Sequence, residues 1–278
     1  MVKSDWNTDV VNARIMNRSD KQRYAAGSPD PREVDAYAGC LPGDSTLGVV
    51  LGMTPELRNM AARHCKKLIS VDHSEAAIAT YEDWLAPALR HKEQVVHGDW
   101  NTLGSVLQEP PDFILGDGIF GNVVPLDGYS DLLCSIRSTL SRNGCFVTRH
   151  CLMPGAVLDN PDHRLELLEK FRRNLIDEAG FGLSMRLQGY VDIAYDRSNF
   201  VLDNAKLFSA VDKDRESGLI SVSEYHIIRR YLFSGLNTLP TERVWEGLLS
   251  GAGFRFERLN CQGKYWYDYY PIYACRPF

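Results

Sequence analysis

The chain has 278 residues, of which 44% are hydrophobic and 24% charged, and its formal net charge is −5. This composition predicts a globular protein that buries a full core, and the acidic balance disfavours a nucleic-acid partner, because phosphate-backbone contact requires clustered lysine and arginine. The sequence has neither an apolar run of about 18 residues nor an apolar N-terminal leader, so we expect a cytoplasmic protein with no membrane partner.

The seven cysteines are scattered and form no C-x-x-C pair. An odd count without a disulfide framework predicts reduced thiols, which agrees with a cytosolic protein. The histidines show no spacing that is typical of a metal site, so we predict no metal.

Apolar runs alternate with amphipathic segments from residue 46 to residue 150. The run "TLGVVLG" predicts a strand, and "TPELRNMAARHC" after it predicts a helix with Thr54 as N-cap and Pro55 as its first residue. Further strands are predicted at "KKLISVD", "EQVVHGD", "PDFILGD" and "GCFVTRHC", and further helices at "SEAAIATYEDWLAPALR" and "YSDLLCSIRSTL". This alternation predicts right-handed βαβ units in a doubly wound α/β fold with helices on both faces of a parallel sheet.

The pattern changes between residues 154 and 240, where we find no strong strand signal. The segment "DHRLELLEKFRRNLIDEAG" carries one apolar stripe at helical spacing, which includes Leu165, Leu168 and Leu175. Ser221 and Glu224 form a capping box before another apolar run. We therefore predict a helical insertion over residues 155–240 that covers the substrate.

The end of the chain predicts one more helix, "TERVWEGLLSGAG", and an antiparallel hairpin formed by "FRFERLNCQ" and "YYPIYACRP". Together these elements predict a seven-stranded, mostly parallel sheet whose last strand is antiparallel. The predicted domains are an N-terminal helical lid over 1–37, a core over 38–154 and 241–278, and the insertion.

The glycines in "GDGIFGN" match the spacing of the dinucleotide-binding fingerprint. That fingerprint requires a helix to begin at its last glycine, but Pro125 and the Asp127-Gly128 pair interrupt a helix there. We interpret these glycines as giving room near a ligand, without forming a separate phosphate cradle.

The order of elements, together with "VVLGMTPEL", resembles the class I S-adenosylmethionine-dependent methyltransferases from Thr46 to Phe278, apart from the insertion. Of the family's glycine-rich first motif only Gly52 is kept, and Val50 stands where many members have a carboxylate. The resemblance implies S-adenosyl-L-methionine as cofactor and methyl transfer as the activity.

The resemblance also implies a cofactor site at the carboxyl ends of the first four strands. Asp72, 20 positions after Gly52 (72 minus 52), would bind the ribose hydroxyls, Asp99 would accept from the adenine amino group, and Trp100 would stack on the adenine. The expected cofactor-binding residues are Gly52, Met53, Thr54, Asp72, His73, Asp99, Trp100 and Asp117. Each acid could instead be a helix N-cap, and Trp100 could be an ordinary packed aromatic.

Asp117 and His150 end the fourth and fifth strands, and both should face the donor methyl. His150 is the candidate general base, because the reference pKa of histidine, about 6.5, leaves it mostly free to accept a proton at pH 7; it could equally be a structural histidine. Asp117 would orient the acceptor or the cofactor.

The insertion and the N-terminal helix "WNTDVVNARIMNRSDKQRY" can cover the donor methyl and exclude water, and a covered pocket suits a small-molecule acceptor. Candidate pocket walls are Tyr24, Tyr190, Tyr195 and Tyr225, although each could be ordinary packing. We expect a monomer or a homodimer.

Two other functions remain open. One is an NAD(P)-dependent oxidoreductase on the same kind of sheet, in which Asp72 would hold the ribose. The other is a non-catalytic protein that binds the cofactor and has lost the chemistry. A fold alone does not decide among them.

Overall fold

The structure is a computed structural model that describes residues 28–159, 163–231, 235–261, 263 and 265–278. Its strands are β1 (Ser45–Leu51), β2 (Cys65–Asp72), β3 (Glu93–His97), β4 (Phe113–Asp117), β5 (Cys145–Arg149), β6 (Tyr195–Asp196), β7 (Val201–Asp203), β8 (Leu236–Thr238), β9 (Phe254–Leu259) and β10 (Ile272–Pro277). Seven of them form a central sheet in the order β3-β2-β1-β4-β5-β10-β9. Among the strands of that sheet, β10 alone runs antiparallel, to β5 on one side and to β9 on the other.

The helices are α1 (Pro31–Ala38), α2 (Pro55–His64), α3 (Glu75–Tyr81), α4 (Leu103–Val106), α5 (Gly128–Thr139), α6 (Gly155–Asp159), α7 (Arg164–Arg172), α8 (Glu178–Ser184), α9 (Val191–Ala194), α10 (Asn204–Glu216), α11 (Val222–Arg229) and α12 (Glu242–Gly251). The predicted doubly wound α/β fold, with seven strands and an antiparallel last strand, is confirmed. No helix among the described residues combines the length and the apolar character needed to cross a bilayer.

Gly48 lies at the centre of the sheet, where β1 and β4 pair in parallel register. A Cβ atom at this position would lie 2.2 Å from Cζ of Phe113, the residue that Gly48 faces in β4. Phe113 is fully buried. The glycine therefore gives an aromatic ring the space to pack flat on the neighbouring strand.

The insertion is mostly helical, but it also contains a small antiparallel sheet in the order β6-β7-β8. The sequence showed no strong strand signal between residues 154 and 240, so this small sheet was not predicted. These strands have two or three residues each, too short to give a clear alternating pattern.

Strand β8 joins the insertion to the loop after β4. The hydroxyl of Thr238 donates to the carbonyl of Val123 at 2.7 Å, and the side-chain amide of Asn237 donates to the carbonyl of Gly121 at 3.1 Å. The hydroxyl of Tyr129 on α5 donates in turn to the carbonyl of Thr238 at 3.0 Å. The insertion thus contacts the core directly through the loop that follows β4.

Two predicted helices are shorter than expected. The helix that begins at Glu75 ends at Tyr81 and is followed by 3₁₀ turns; Pro87 begins the second of these turns and disfavours helical geometry in the residue before it. The stripe after residue 163 is also interrupted: α7 ends at Arg172, and Asn174 adopts a left-handed conformation with φ of 57°. Leu165 and Leu175, two residues of the predicted apolar stripe, are exposed.

Of the predicted N-terminal lid, the structure describes residues 28–37. These include most of α1, which is capped by a box between Asp30 and Glu33. The predicted helix "WNTDVVNARIMNRSDKQRY" and Tyr24 lie outside the described residues.

We predict that Gly48→Ala lowers the free energy of unfolding by about 1–3 kcal/mol, because the new methyl group overlaps the ring of Phe113. Urea unfolding followed by circular dichroism measures the change. Gly43→Ala is the matched control, since a Cβ atom there meets nothing within 4 Å. Equal stabilities of the two variants would show that the sheet adjusts to the methyl group.

Candidate functional site

The turn after β1 is shaped by Gly52, whose φ angle of 90° lies in the left-handed region that favours glycine. Its N–H donates to the carbonyl of Val71 at 2.8 Å, which holds the turn against the end of β2. A Cβ atom at Gly52 would lie 3.9 Å from Oδ2 of Asp72. The open backbone of the turn and the carboxylate after β2 are therefore adjacent.

Asp72 ends β2 as a largely buried carboxylate that is 7% exposed. Its Oδ1 accepts the backbone N–H of Ser74 at 2.8 Å. Burial raises the pKa of Asp72, and the hydrogen bond from Ser74 and the nearby His73 oppose that rise. The carboxylate is thus held at the edge of the sheet with little access to water.

His73 lies beside this carboxylate, with Nδ1 3.6 Å from Oδ1 of Asp72. Its ring meets Trp100 edge to face, with centroids 5.1 Å apart. Both ring nitrogens are buried, and neither has a hydrogen-bond partner among the described residues. A ligand seated at Asp72 would find polar atoms here that the protein leaves unsatisfied.

The structure places Asp99 and Trp100, which follow β3 after Gly98, in different surroundings. Asp99 is exposed and caps the next turn, with Oδ1 accepting the backbone N–H of Asn101 at 2.9 Å. Trp100 is 4% exposed and lies in the core, where its Nε1–H donates to the carbonyl of Val71 at 2.8 Å. The expected stacking role of Trp100 is therefore wrong, because the ring is used in packing.

Met53 and Thr54 complete the turn after β1. The side chain of Met53 is buried in a small apolar cluster with Ala77 and Tyr81 of α3. Thr54 is the N-cap residue of α2 as predicted, although its side chain makes no capping hydrogen bond.

Asp117, at the end of β4, is bound by Arg149, at the end of β5. Nε and Nη2 of Arg149 reach the two carboxylate oxygens of Asp117 at 2.7 and 3.3 Å. Nη1 of Arg149 reaches both oxygens of Glu33 on α1, each at 3.0 Å. All three side chains are at most 7% exposed. One buried guanidinium thus joins β4, β5 and α1.

Tyr37 and Tyr270 add to this arrangement. The hydroxyl of Tyr37 donates to the carbonyl of Gly116 at 2.8 Å and accepts the backbone N–H of Arg149 at 2.6 Å. The guanidinium of Arg149 lies 5.1 Å from the centroid of the Tyr270 ring. Burial raises the pKa of Glu33, and the positive charge of Arg149 opposes that effect.

Sequence reasoning missed Arg149 and Glu33. The signal for Arg149 was its position at the end of a buried strand, next to His150, where an unpaired charge would be costly. Glu33 is separated from Arg149 by 116 residues, and its capping-box position gives no sign of that contact.

The expectation that His150 faces the donor methyl is wrong. The residue is fully buried, and its ring packs among Phe120, Tyr129 and Trp245, with centroids 5.7, 5.6 and 4.8 Å away. Neither ring nitrogen has a hydrogen-bond partner in the part of the chain that the structure describes. Burial lowers the pKa of His150 to about 3, so the ring is neutral at pH 7 and packs as an aromatic residue.

The three described tyrosines that were candidate pocket walls have structural roles. The hydroxyl of Tyr190 donates to Asp214 at 2.9 Å, that of Tyr195 to the carbonyl of Leu239 at 2.7 Å, and that of Tyr225 to Asp212 at 2.8 Å. Tyr190 and Tyr195 belong to the apolar core of the insertion. Their assignment as acceptor-binding residues is therefore corrected, since each hydroxyl already serves packing within the insertion.

Within the described ranges, no group of three or more histidine, cysteine or carboxylate side chains is arranged to hold a metal ion. No protein-family model and no curated protein sequence matches the chain.

Solved structures, in contrast, match nearly the whole chain. The CcbJ methyltransferase from Streptomyces caelestis is 14% identical, with a TM-score of 0.56 over 98% of this chain and 99% of that chain. The N-methyltransferase NodS from Bradyrhizobium japonicum, in complex with S-adenosyl-L-homocysteine, is 11% identical, with a TM-score of 0.51 over 98% and 99% of the two chains.

A protein from Rhodobacter sphaeroides described as a zinc-dependent alcohol dehydrogenase is 17% identical, with a TM-score of 0.54 over 99% of this chain and 100% of that chain. At such identities a match shows the fold alone. The fold is the Rossmann-like fold of class I S-adenosylmethionine-dependent methyltransferases, as the sequence resemblance implied.

We predict that acid destabilises the protein through His150. Its pKa is about 3 when folded and about 6.5 when unfolded, so the unfolded state binds more protons between these values. The free energy of unfolding therefore falls as the pH falls below 6.5, by about 2 kcal/mol at pH 5 from this group. Urea titrations at pH 7 and pH 5 should show a smaller difference for His150→Leu than for the native protein. His91→Leu, on the surface, should keep the native difference; an equal difference in all three proteins would contradict the prediction.

We predict that Arg149→Met destabilises the fold by about 3–5 kcal/mol, because it leaves the carboxylates of Glu33 and Asp117 buried and unpaired. Adding Glu33→Gln and Asp117→Asn to Arg149→Met should recover part of that loss. Thermal and urea unfolding measure both effects. Arg173→Met, which removes an exposed partner of Glu169, is the control and should change stability little. A similar stability for the two methionine variants would mean that the buried ion pairs do not hold these elements.

Proposed function

We propose that this protein transfers a methyl group from S-adenosyl-L-methionine to a small-molecule acceptor. The observation that carries the proposal is the proximity of Gly52 and Asp72: a turn without a side chain lies beside a held carboxylate at the carboxyl ends of β1 and β2. Open α/β sheets bind their ligands at this edge, where the strand order changes direction from β1 to β4.

The residues present fit the adenosine part of that cofactor. Asp72 offers acceptor oxygens to a pair of ribose hydroxyls, and Gly52 lets the ligand approach the backbone closely. His73 brings two ring nitrogens with no hydrogen-bond partner among the described residues. Asp99 is exposed at the end of β3 and remains our prediction for the partner of the adenine amino group.

Bound S-adenosyl-L-methionine supplies a methyl group that its sulfonium already activates. The protein then mostly has to hold the acceptor in line with that group, and alignment can lower a barrier by several kcal/mol. Arg149 keeps Asp117 fixed at the end of β4, which favours an orienting role for Asp117. The ion pair between Arg149 and Glu33 also holds α1, the helix before β1, against the end of β5.

His150 has no part in this mechanism, because its ring is enclosed by Phe120, Tyr129 and Trp245. An acceptor that loses its proton before reaction needs no general base from the protein. The remaining function of the site is then to position the acceptor and exclude water.

The acceptor is a small molecule in our proposal, in which the insertion, hydrogen-bonded to the loop after β4, covers that side of the site. The same proposal has the protein acting in the cytoplasm, as a monomer or a homodimer, without nucleic-acid or membrane partners. The lack of a nucleic-acid partner rests on the acidic composition, and the cytoplasmic location rests on seven cysteines without a disulfide framework.

An NAD(P)-dependent oxidoreductase is the second candidate, and the likeness to the Rhodobacter sphaeroides protein described as an alcohol dehydrogenase supports it. The order of strands counts against it, since the dinucleotide-binding sheet ends in a parallel sixth strand, whereas β10 is antiparallel. The loop "GDGIFGN" also lacks the helix that should begin at Gly121, since the chain forms a short 3₁₀ turn there.

We predict that Asp72→Asn weakens binding of S-adenosyl-L-homocysteine by about 10-fold or more, because hydrogen bonds to a charged group are the strong ones. Asparagine keeps an oxygen that can accept the N–H of Ser74, so the fold should survive. Isothermal titration calorimetry measures the affinity.

The control is Asp83→Asn, whose carboxylate is 86% exposed and pairs with Arg90 at the surface. Native-like affinity of folded Asp72→Asn would overturn the placement of the ribose. Binding of NADH in place of S-adenosyl-L-homocysteine would favour the oxidoreductase.

A further inference from the structure

Strand β9 is the last strand of the central sheet, and one of its edges has no partner strand among the described residues. The sheet runs β3-β2-β1-β4-β5-β10-β9, so β9 pairs with β10 on one side only. An edge of this kind presents unpaired N–H and C=O groups to any strand that approaches it. With six residues, Phe254–Leu259, β9 is long enough to pair with a further strand.

The pairing with β10 shows which backbone groups of β9 point outward. The N–H of Phe278 donates to the carbonyl of Gly253 at 3.2 Å, so this pair, which extends the register of the two strands, is hydrogen-bonded. Hydrogen-bonded and non-bonded pairs alternate along an antiparallel ladder. Every second residue of β9 therefore turns its N–H and C=O groups to the open edge, and these residues are Phe254, Phe256 and Arg258.

Between these residues, Arg255 and Glu257 carry opposite charges on the same face of β9. Both are exposed, and neither forms an ion pair within the part of the chain that the structure describes. They line a groove of about 730 Å³ together with residues of α1 and β10, which leaves their side chains accessible from that face. Arg258, on the opposite face, is already paired with Glu242 of α12 at 2.7 Å.

These two charges select one register for a second copy of β9 that pairs antiparallel with the first. When the two-fold axis passes through Phe256, all three outward residues of each copy find a backbone partner. Arg255 then lies opposite Glu257 of the second copy, twice by symmetry, in the non-bonded positions where side chains are closest. An axis through Arg255 or through Glu257 would instead set like charges opposite each other, which is destabilising.

We propose that this protein forms a homodimer in which the β9 strands of two copies pair about a two-fold axis at Phe256. Charged side chains on an edge often keep strands apart, but the order of Arg255 and Glu257 is complementary to itself. The half-buried ring of Phe256 meets its own copy, and the two sheets continue into one of 14 strands (twice 7).

The dimer does not depend on the proposed methyl transfer. Because the two β9 strands run antiparallel, the carboxyl edges of the two sheets face opposite directions, and each copy keeps its own site at that edge.

Sedimentation velocity of the full chain, measured over a range of concentrations, tests the association. We expect a species of twice 31.4 kDa that dissociates on dilution. Arg255→Glu and Glu257→Arg each set like charges opposite each other at both symmetric positions, so each should raise the Kd of the dimer by at least about 10-fold.

An equimolar mixture of these two variants should recover the native association. The Arg255→Glu chain carries two acids on this face and the Glu257→Arg chain two bases, so every acid of a mixed dimer lies opposite a base. Arg142→Glu and Glu109→Arg are the matched controls, since both positions are exposed elsewhere and the net charge changes equally. They should associate as the native protein does.

A native protein that is monomeric at every concentration would overturn the proposal. A native dimer that both charge reversals leave intact would place the interface on another surface, and a mixture that does not recover association would contradict the register; either result overturns the proposal. Circular dichroism checks the fold of each variant. If a reversal unfolds the chain, Arg255→Gln and Glu257→Gln take its place, and each should raise the Kd about 3- to 10-fold by removing both ion pairs; an unchanged Kd would overturn the proposal.

Discussion

The buried guanidinium of Arg149 is the interaction on which the geometry of the site depends. Its ion pairs with Asp117 and Glu33 join the ends of β4 and β5 to α1, a helix that precedes the whole sheet in sequence. Three charges removed from water are costly unless each is paired with good geometry. Here the guanidinium meets four carboxylate oxygens, so the charges are stable only while these three segments stay together.

The opposite half of the site depends on backbone conformation more than on charge. Gly52 turns the chain after β1 and lets Asp72 approach, and the N–H of Ser74 holds the carboxylate in place. This half is formed by consecutive βα units, whereas the half around Arg149 brings together segments that are more than 100 residues apart. The site therefore combines a locally encoded half around Asp72 with a half around Arg149 that exists only in the folded chain.

This difference between local and long-range contacts explains which features of the structure the sequence could predict. The alternating strands and helices, the antiparallel hairpin and the position of Asp72 follow from short-range patterns, and the fold prediction was confirmed. The roles of Trp100 and His150 did not follow, because their neighbours in sequence do not show which face of the sheet each ring occupies. Trp100 turns into the core to reach the carbonyl of Val71, and His150 enters an aromatic cluster formed with Trp245, which lies in a helix 95 positions later (245 minus 150).

The contacts that dock the insertion on the central sheet could not be predicted from the sequence either. Thr238 and Asn237 bind backbone carbonyls of the loop after β4, and Arg186 reaches that loop through Asn237. A backbone carbonyl is present at every residue, so no pattern of side chains in the loop reveals that it will accept these bonds. The junction between the insertion and the central sheet is therefore assembled by contacts that only the folded chain reveals.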